Sequence, residues 1–297
     1  MDRLEKLGVF LNDEPGDDEA LAFAGLLARA AKPQIVHCIH VRGVEDPPET
    51  PVPNPEALRH RVLQAVGPGV SSSMQVEVSE ATGLPEMLRV TRDRDFDLVV
   101  VGRRLPHDQL GVGAVFYRMA RKSPCDVLVV PAGAHAHLTR LLVLVDGSPH
   151  SKMALETALN LSKAAGGKPQ VVAQSVYAVG YGYRYTGKSF EEAARNKEAL
   201  VRKQIEVFLA GLDTSGVDFS VVYTCSEDTA AVAHDLASAK NMDAIVVGSR
   251  GATLPAIALL GATTERVLVN SPVPVLVVKR KGETFRLLDA VMAQLRE

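Results

Sequence analysis

The chain has 297 residues, enough for two domains of ordinary size, and its 46% hydrophobic and 23% charged residues are spread with no apolar run near the roughly 20 residues a membrane helix needs. A formal net charge of −2 gives no electropositive footprint for phosphate backbones, which argues against nucleic acid as a partner. Three scattered cysteines, Cys38, Cys125 and Cys225, fit reduced thiols, and the opening residues carry no signal-peptide pattern, so a soluble cytoplasmic protein with no membrane span is expected.

In chain order, the first element is a strand ending Val9-Phe10-Leu11-Asn12, and Pro15 and Ala20-Leu21 lead through a turn into an alanine-rich helix. Lys32-Pro33 stops that helix before a second strand at Gln34-Ile35-Val36. A third strand is predicted at Met74 to Val78. After an amphipathic segment, the run Asp97 to Gly102 is apolar throughout and reads as a strand buried on both faces. A further helical segment precedes the last strand of this half, within Ser123 to Val130.

Residues 132–138, with Gly133, His135 and His137, read as a linker, and the order of landmarks then repeats. Val143-Leu144-Val145-Asp146, Pro149 and Ala154-Leu155 answer the first strand, turn and helix. Gly166-Gly167-Lys168-Pro169-Gln170-Val171 answers the helix stop. Val217 to Tyr223, Asp243 to Gly248 and Ser271 to Val278 answer the third, fourth and fifth strands. The expected organisation is a duplication, with domains at 1–133 and 139–281. An amphipathic helix over 282–297 would follow, with Phe285, Leu288, Val291, Met292 and Leu295 at helical spacing. Apolar strands alternating with helices define, in each half, a doubly wound α/β domain around a parallel sheet.

In such a sheet, ligands sit beyond the C-terminal strand ends where the winding reverses. In the second half those ends carry Asp146-Gly147-Ser148 and Gly248-Ser249-Arg250-Gly251. Nine residues then separate Gly251 from Gly261, and Ala262-Thr263-Thr264 opens a helix. Glycines let backbone approach an anion, and free N–H groups and threonine hydroxyls at a helix N-terminus donate to it, so this reads as a phosphate cradle. Asp146 could accept hydrogen bonds from a nucleoside. The plainer reading is a turn closing a strand, with Asp146 as part of a helix cap.

The spacing G-x-x-G-x9-G after a Val-Val-Gly strand, ahead of Pro272-Val273-Pro274-Val275-Leu276-Val277-Val278, resembles the universal stress protein family, and the resemblance covers nearly the whole chain twice. It implies a strand order of 3-2-1-4-5, the nucleotide α-hydrolase-like fold and, in nucleotide-binding members, ATP with magnesium. The adenosine would lie at Asp146 and at the backbone near Val176, and the phosphates at Gly248, Gly251, Gly261 and Thr264, flanked by Arg250. It implies a stress-response regulator acting on protein partners that the residues do not name. Ala262 departs from the pattern, since binding members usually carry Ser or Thr there, which removes one side-chain donor. The first half departs further. Asn12 replaces the aspartate, Leu105 stands where the second glycine belongs, the span from Gly102 to Gly113 is two positions shorter than that from Gly248 to Gly261, and Ala114-Val115-Phe116 offers no hydroxyl. This half is expected to be degenerate, either a scaffold or a site for another ligand. A nucleotide-independent interaction module is the main alternative for the whole chain.

Three signals compete. Gly182 to Ser189 matches the P-loop pattern G-x4-G-K-[ST], but Ser189 with Glu192 is also a capping box, and Tyr183, Arg184 and Tyr185 crowd a loop that would need bare backbone. His135 with His137, and Cys225 with His234, lack the further ligands a metal site requires. No nucleophile stands beside a base, so slow hydrolysis at most is expected rather than dedicated catalysis. Finally, the fifth strand of each half is an apolar edge, and the two are expected to cover one another by pairing within the chain, with a homodimer through the tyrosine loop or the C-terminal helix as a further expectation.

Overall fold

The computed structural model describes residues 4–12, 16–42, 54–67, 75–103, 115–185, 187–251 and 260–280. The C-terminal helix expected over 282–297 lies outside them, as do Leu105, Gly113 and Ala114. In the first half the elements are β1 (Lys6–Leu11), α1 (Asp17–Ala31), β2 (Ile35–Arg42), α2 (Pro55–Val66), β3 (Gln75–Thr82), α3 (Gly83–Asp93), β4 (Leu98–Arg103), α4 (Val115–Lys122) and β5 (Asp126–Pro131). The second half repeats them as β6 (Arg140–Leu144), α5 (Pro149–Ala165), β7 (Gln170–Tyr177), α6 (Phe190–Leu209), β8 (Asp218–Cys225), α7 (Thr229–Ala239), β9 (Ala244–Gly248), α8 (Ala262–Asn270) and β10 (Val275–Val278). A short 3₁₀ turn, Tyr181–Tyr185, precedes α6.

Within each half the strands are parallel, in the order β3-β2-β1-β4-β5 and β8-β7-β6-β9-β10. This is the 3-2-1-4-5 order expected from the resemblance. The central strands β4, β5, β9 and β10 are buried almost throughout, because helices cover both faces. One core layer joins α1, α2, α5 and α6 to one face of the sheet; the other joins α3, α4, α7 and α8 to the opposite face. The third strands run longer than their apolar cores, to Thr82 and Cys225, because both pair with a long second strand along their whole length.

The two sheets meet edge to edge. Antiparallel pairing of β5 with β10 sets Val127 opposite Val277, Leu128 opposite Leu276 and Val129 opposite Val275, making one ten-stranded sheet. Leu128 and Leu276 are counterparts in the duplication, so a local twofold axis runs between them. The same symmetry packs α1 against α5 on one face and α4 against α8 on the other. Pairing satisfies two rows of backbone groups that would otherwise form apolar open edges. The linker leaves Gly133, His135 and His137 exposed and is tied to α1 by the Gly133 N–H, which donates to Glu19 Oε1 at 2.7 Å. No helix among the described residues is long and apolar enough to cross a membrane.

Candidate functional site

At the C-terminal ends of β6 and β9, where the winding of the second half reverses, a cleft of about 390 Å³ opens. It brings together Asp146, Val176, Gly248, Arg250, Gly251, Gly261, Ala262, Thr263 and Thr264. Gly147 and Ser148 stand in the turn behind it. Gly147 adopts a φ of +82°, and Asp146 Oδ1 accepts from Ser148 N–H at 2.9 Å, while Ser148 Oγ caps α5 by accepting from Ser151 N–H at 3.1 Å. Asp146 therefore takes part in the helix entry and also faces the cleft; the two readings of that residue are compatible.

The loop glycines are required for space rather than for unusual backbone angles. A Cβ on Gly248 would lie 2.8 Å from the His150 backbone, and one on Gly251 would lie 2.8 Å from Asp146 Oδ2. Gly261 is the N-cap of α8, with φ −79° and no side-chain cap, so among the described residues nothing caps the first N–H groups of that helix. Ala262 and Thr263 are exposed at this end. Thr264 is placed differently from the expectation of a phosphate donor: it is buried, and its hydroxyl donates to the Gly248 carbonyl at 2.9 Å, locking the start of α8 to the end of β9.

Two further polar residues line the cleft, Gln174 and Thr229. Gln174 is only 1% exposed. Its Nε2 donates to Val232 O at 3.3 Å and to Thr224 Oγ1 at 3.1 Å, and its Oε1 is a buried acceptor with no partner among the described residues. A lone glutamine inside Val171-Val172-Ala173-Gln174-Ser175-Val176 was the available signal, because a polar side chain in a strand covered on both faces needs a reason to be there. Thr229 gives no comparable sign, since it reaches the cleft only through the packing of α7.

Outside the cleft, the P-loop-like stretch resolves into a helix start. Ser189 Oγ accepts from Glu192 N–H at 3.2 Å, and Tyr181 and Tyr185 are exposed on the 3₁₀ turn. His234 bonds the Val267 carbonyl at 3.1 Å, and Cys225 is an exposed thiol at the end of β8. In the first half Phe116 occupies the place of Thr264, and Arg103, which follows Gly102 as Ser249 follows Gly248, turns away toward the other half.

The sequence profile of the universal stress protein family matches residues 4–131 and again 137–279. The chain belongs to the universal stress protein family. Among curated relatives, Universal stress protein MJ0577 of Methanocaldococcus jannaschii is 37% identical over 91 residues, which is 31% of this chain and 51% of that protein, so the match spans about half the length of the relative. Among solved structures, a functionally unknown protein, PA1789, from Pseudomonas aeruginosa PAO1 superposes with a TM-score of 0.67 at 16% identity, covering 98% of each chain. A universal stress protein from Archaeoglobus fulgidus DSM 4304 gives 0.61 at 18% identity over 95% of this chain and 98% of its own. At such identities these structures speak for the fold alone. They place this universal stress protein among chains of about the same length and the same overall fold.

Proposed function

We propose that this universal stress protein binds ATP, carried with magnesium, at one site in its second half, and that it acts as a regulator of stress response rather than as a dedicated catalyst. The observation that carries the reading is the cleft in which Asp146 and the uncapped N-terminus of α8 both take part. The N–H groups of Ala262 and Thr263, with the Thr263 hydroxyl and Arg250, would hold the phosphates. Asp146, Val176 and Gln174 would hold the nucleoside. Open glycine surface at Gly251 leaves the room beside Asp146 that a ligand needs. Asp146 is the sole acid among the described lining residues and no histidine or cysteine joins it, which supports binding over turnover. Loss of the side-chain donor at Ala262 removes a hydrogen bond to a charged group, worth about 1.5–3 kcal/mol.

Calorimetry on the full chain tests this, with and without magnesium. One ATP per chain is expected, with binding lost in Asp146→Ala and retained in Lys188→Ala. A protein that takes up no ATP, or whose binding depends on Lys188, would overturn the proposal.

A further inference from the structure

α8 is nine residues long, about 13 Å from end to end, too short to hold itself together in water without outside support. Its N-terminus faces the cleft. Its C-terminus closes without a left-handed cap, at Ser271 in extended conformation, so its last carbonyls need donors from elsewhere. Two come from Arg103 of the first half: Nη1 donates to Val269 O at 2.7 Å, and Nη2 donates to Ser271 O. Arg103 is 2% exposed, and its guanidinium lies 5.8 Å from the Phe116 ring centroid. Both residues sit where the second half has its phosphate loop, with Ser249 in place of Arg103 and Thr264 in place of Phe116. Ser249 works within its own loop, its carbonyl accepting from Gly261 N–H at 2.9 Å. The last residue of β4, at the strand end that carries the degenerate site of the first half, is thus a buried cation clamped on the far end of the helix that opens the candidate phosphate site.

We infer that Arg103 is a positioning residue for ATP binding by the other half: it holds α8 in the register and orientation that present its N-terminal N–H groups to the phosphates. A cation at the C-terminus and an anion at the N-terminus favour the same alignment of the helix dipole, so each strengthens the hold on the other. The inference rests on the ATP reading given above. It follows that the effect of Arg103 scales with the phosphates of the ligand and not with its base or ribose.

The test is calorimetry on the full chain with ATP and with adenosine, for the wild type, Arg103→Met and Arg103→Lys, well below the lowest unfolding midpoint. Arg103→Met should weaken ATP about tenfold, within the usual range of site-to-site coupling, leave adenosine unchanged, and be largely rescued by Arg103→Lys. Equal ATP affinity in wild type and Arg103→Met, or equal losses for ATP and adenosine, would overturn the inference while leaving the ATP reading intact. A wild type that binds neither would overturn both. If Arg103→Met does not fold, the wild type decides: by reciprocity ATP must slow amide exchange at Val269, Asn270, Ser271 and Val273, and unchanged exchange there would refute the coupling.

Discussion

Gly251 has no side chain, yet it determines where the side chain of Asp146 can go. A methyl group there would meet Asp146 Oδ2 at 2.8 Å, and because the obstacle is the free end of a carboxylate, the fold can yield by rotating it away. Gly251→Ala should therefore leave the unfolding midpoint nearly unchanged while weakening ATP about tenfold, a difference of about 1.4 kcal/mol, readable by calorimetry beside a thermal melt. Undiminished ATP affinity would show that Asp146 does not touch the ligand. Asp146 and the loop glycines were legible in the sequence because their spacing is local to two strand ends. The commitment of the Thr264 hydroxyl to Gly248 O was not, since it depends on how α8 settles on β9, and neither was Arg103, whose partners lie 166 and 168 residues away.

Between elements, packing distances decide more than composition. Gly25 lies in the middle of α1, where α2 crosses so closely that a Cβ would stand 2.0 Å from the Ala65 carbonyl oxygen, and Arg29 Nη1 already donates to that oxygen at 2.7 Å. Alanine usually favours a helix, but here the methyl would force the helices apart. Gly25→Ala should cost about 1–3 kcal/mol in denaturant unfolding, and a stabilised variant would contradict the contact. The buried His37 adds a pH dependence. Burial, with a contribution from Arg94, holds the His37 imidazole below its ordinary range between Ser79, at 2.8 Å from Nε2, and Glu77, at 3.5 Å from Nδ1. The folded state then binds fewer protons than the unfolded chain below about pH 6.5, so stability falls on acidification. His37→Gln should flatten that acid-side slope in melts taken between pH 5 and 7; an unchanged slope would assign it elsewhere. The duplication was readable at this scale because the landmarks recur, and the strand order through the family resemblance, whereas the approach of α1 to α2 shows only in three dimensions.

Across the whole molecule, the seam between the halves carries charge in an apolar setting. Lys279 of the second half donates through its backbone N–H to Asp126 Oδ1 at 2.8 Å and through Nζ to the Ser123 carbonyl at 2.7 Å, which mirrors in reverse the hold of Arg103 on Ser271. Burial pushes the Asp126 carboxyl up to about 7, from an ordinary value of 3.8. A raised acid is at no disadvantage below its unfolded value and becomes costly as pH rises toward its folded one, so the wild type should lose stability relative to Asp126→Asn between about pH 4 and 7. Asparagine keeps an acceptor for the Lys279 N–H. Chemical unfolding of both proteins across that range measures the difference, and a constant difference would mean that Asp126 titrates normally. That the fifth strands would meet could be argued from two apolar edges of nearly identical sequence, but the cations that close the seam come from positions where the halves differ, and comparing the repeats does not reveal them.

The pairing of β5 with β10 has a consequence during synthesis. Val127 and Val277 are adjacent in space but 150 residues apart in the chain, so the first half completes its own sheet long before its neighbour exists. At 5–20 residues per second the interval is on the order of 10–30 s. Throughout it the newborn first half shows an uncovered apolar strand, Val127-Leu128-Val129-Val130, self-complementary by the same symmetry that later closes the seam. Two nascent chains on one polysome present that strand to each other before either has a second half to offer.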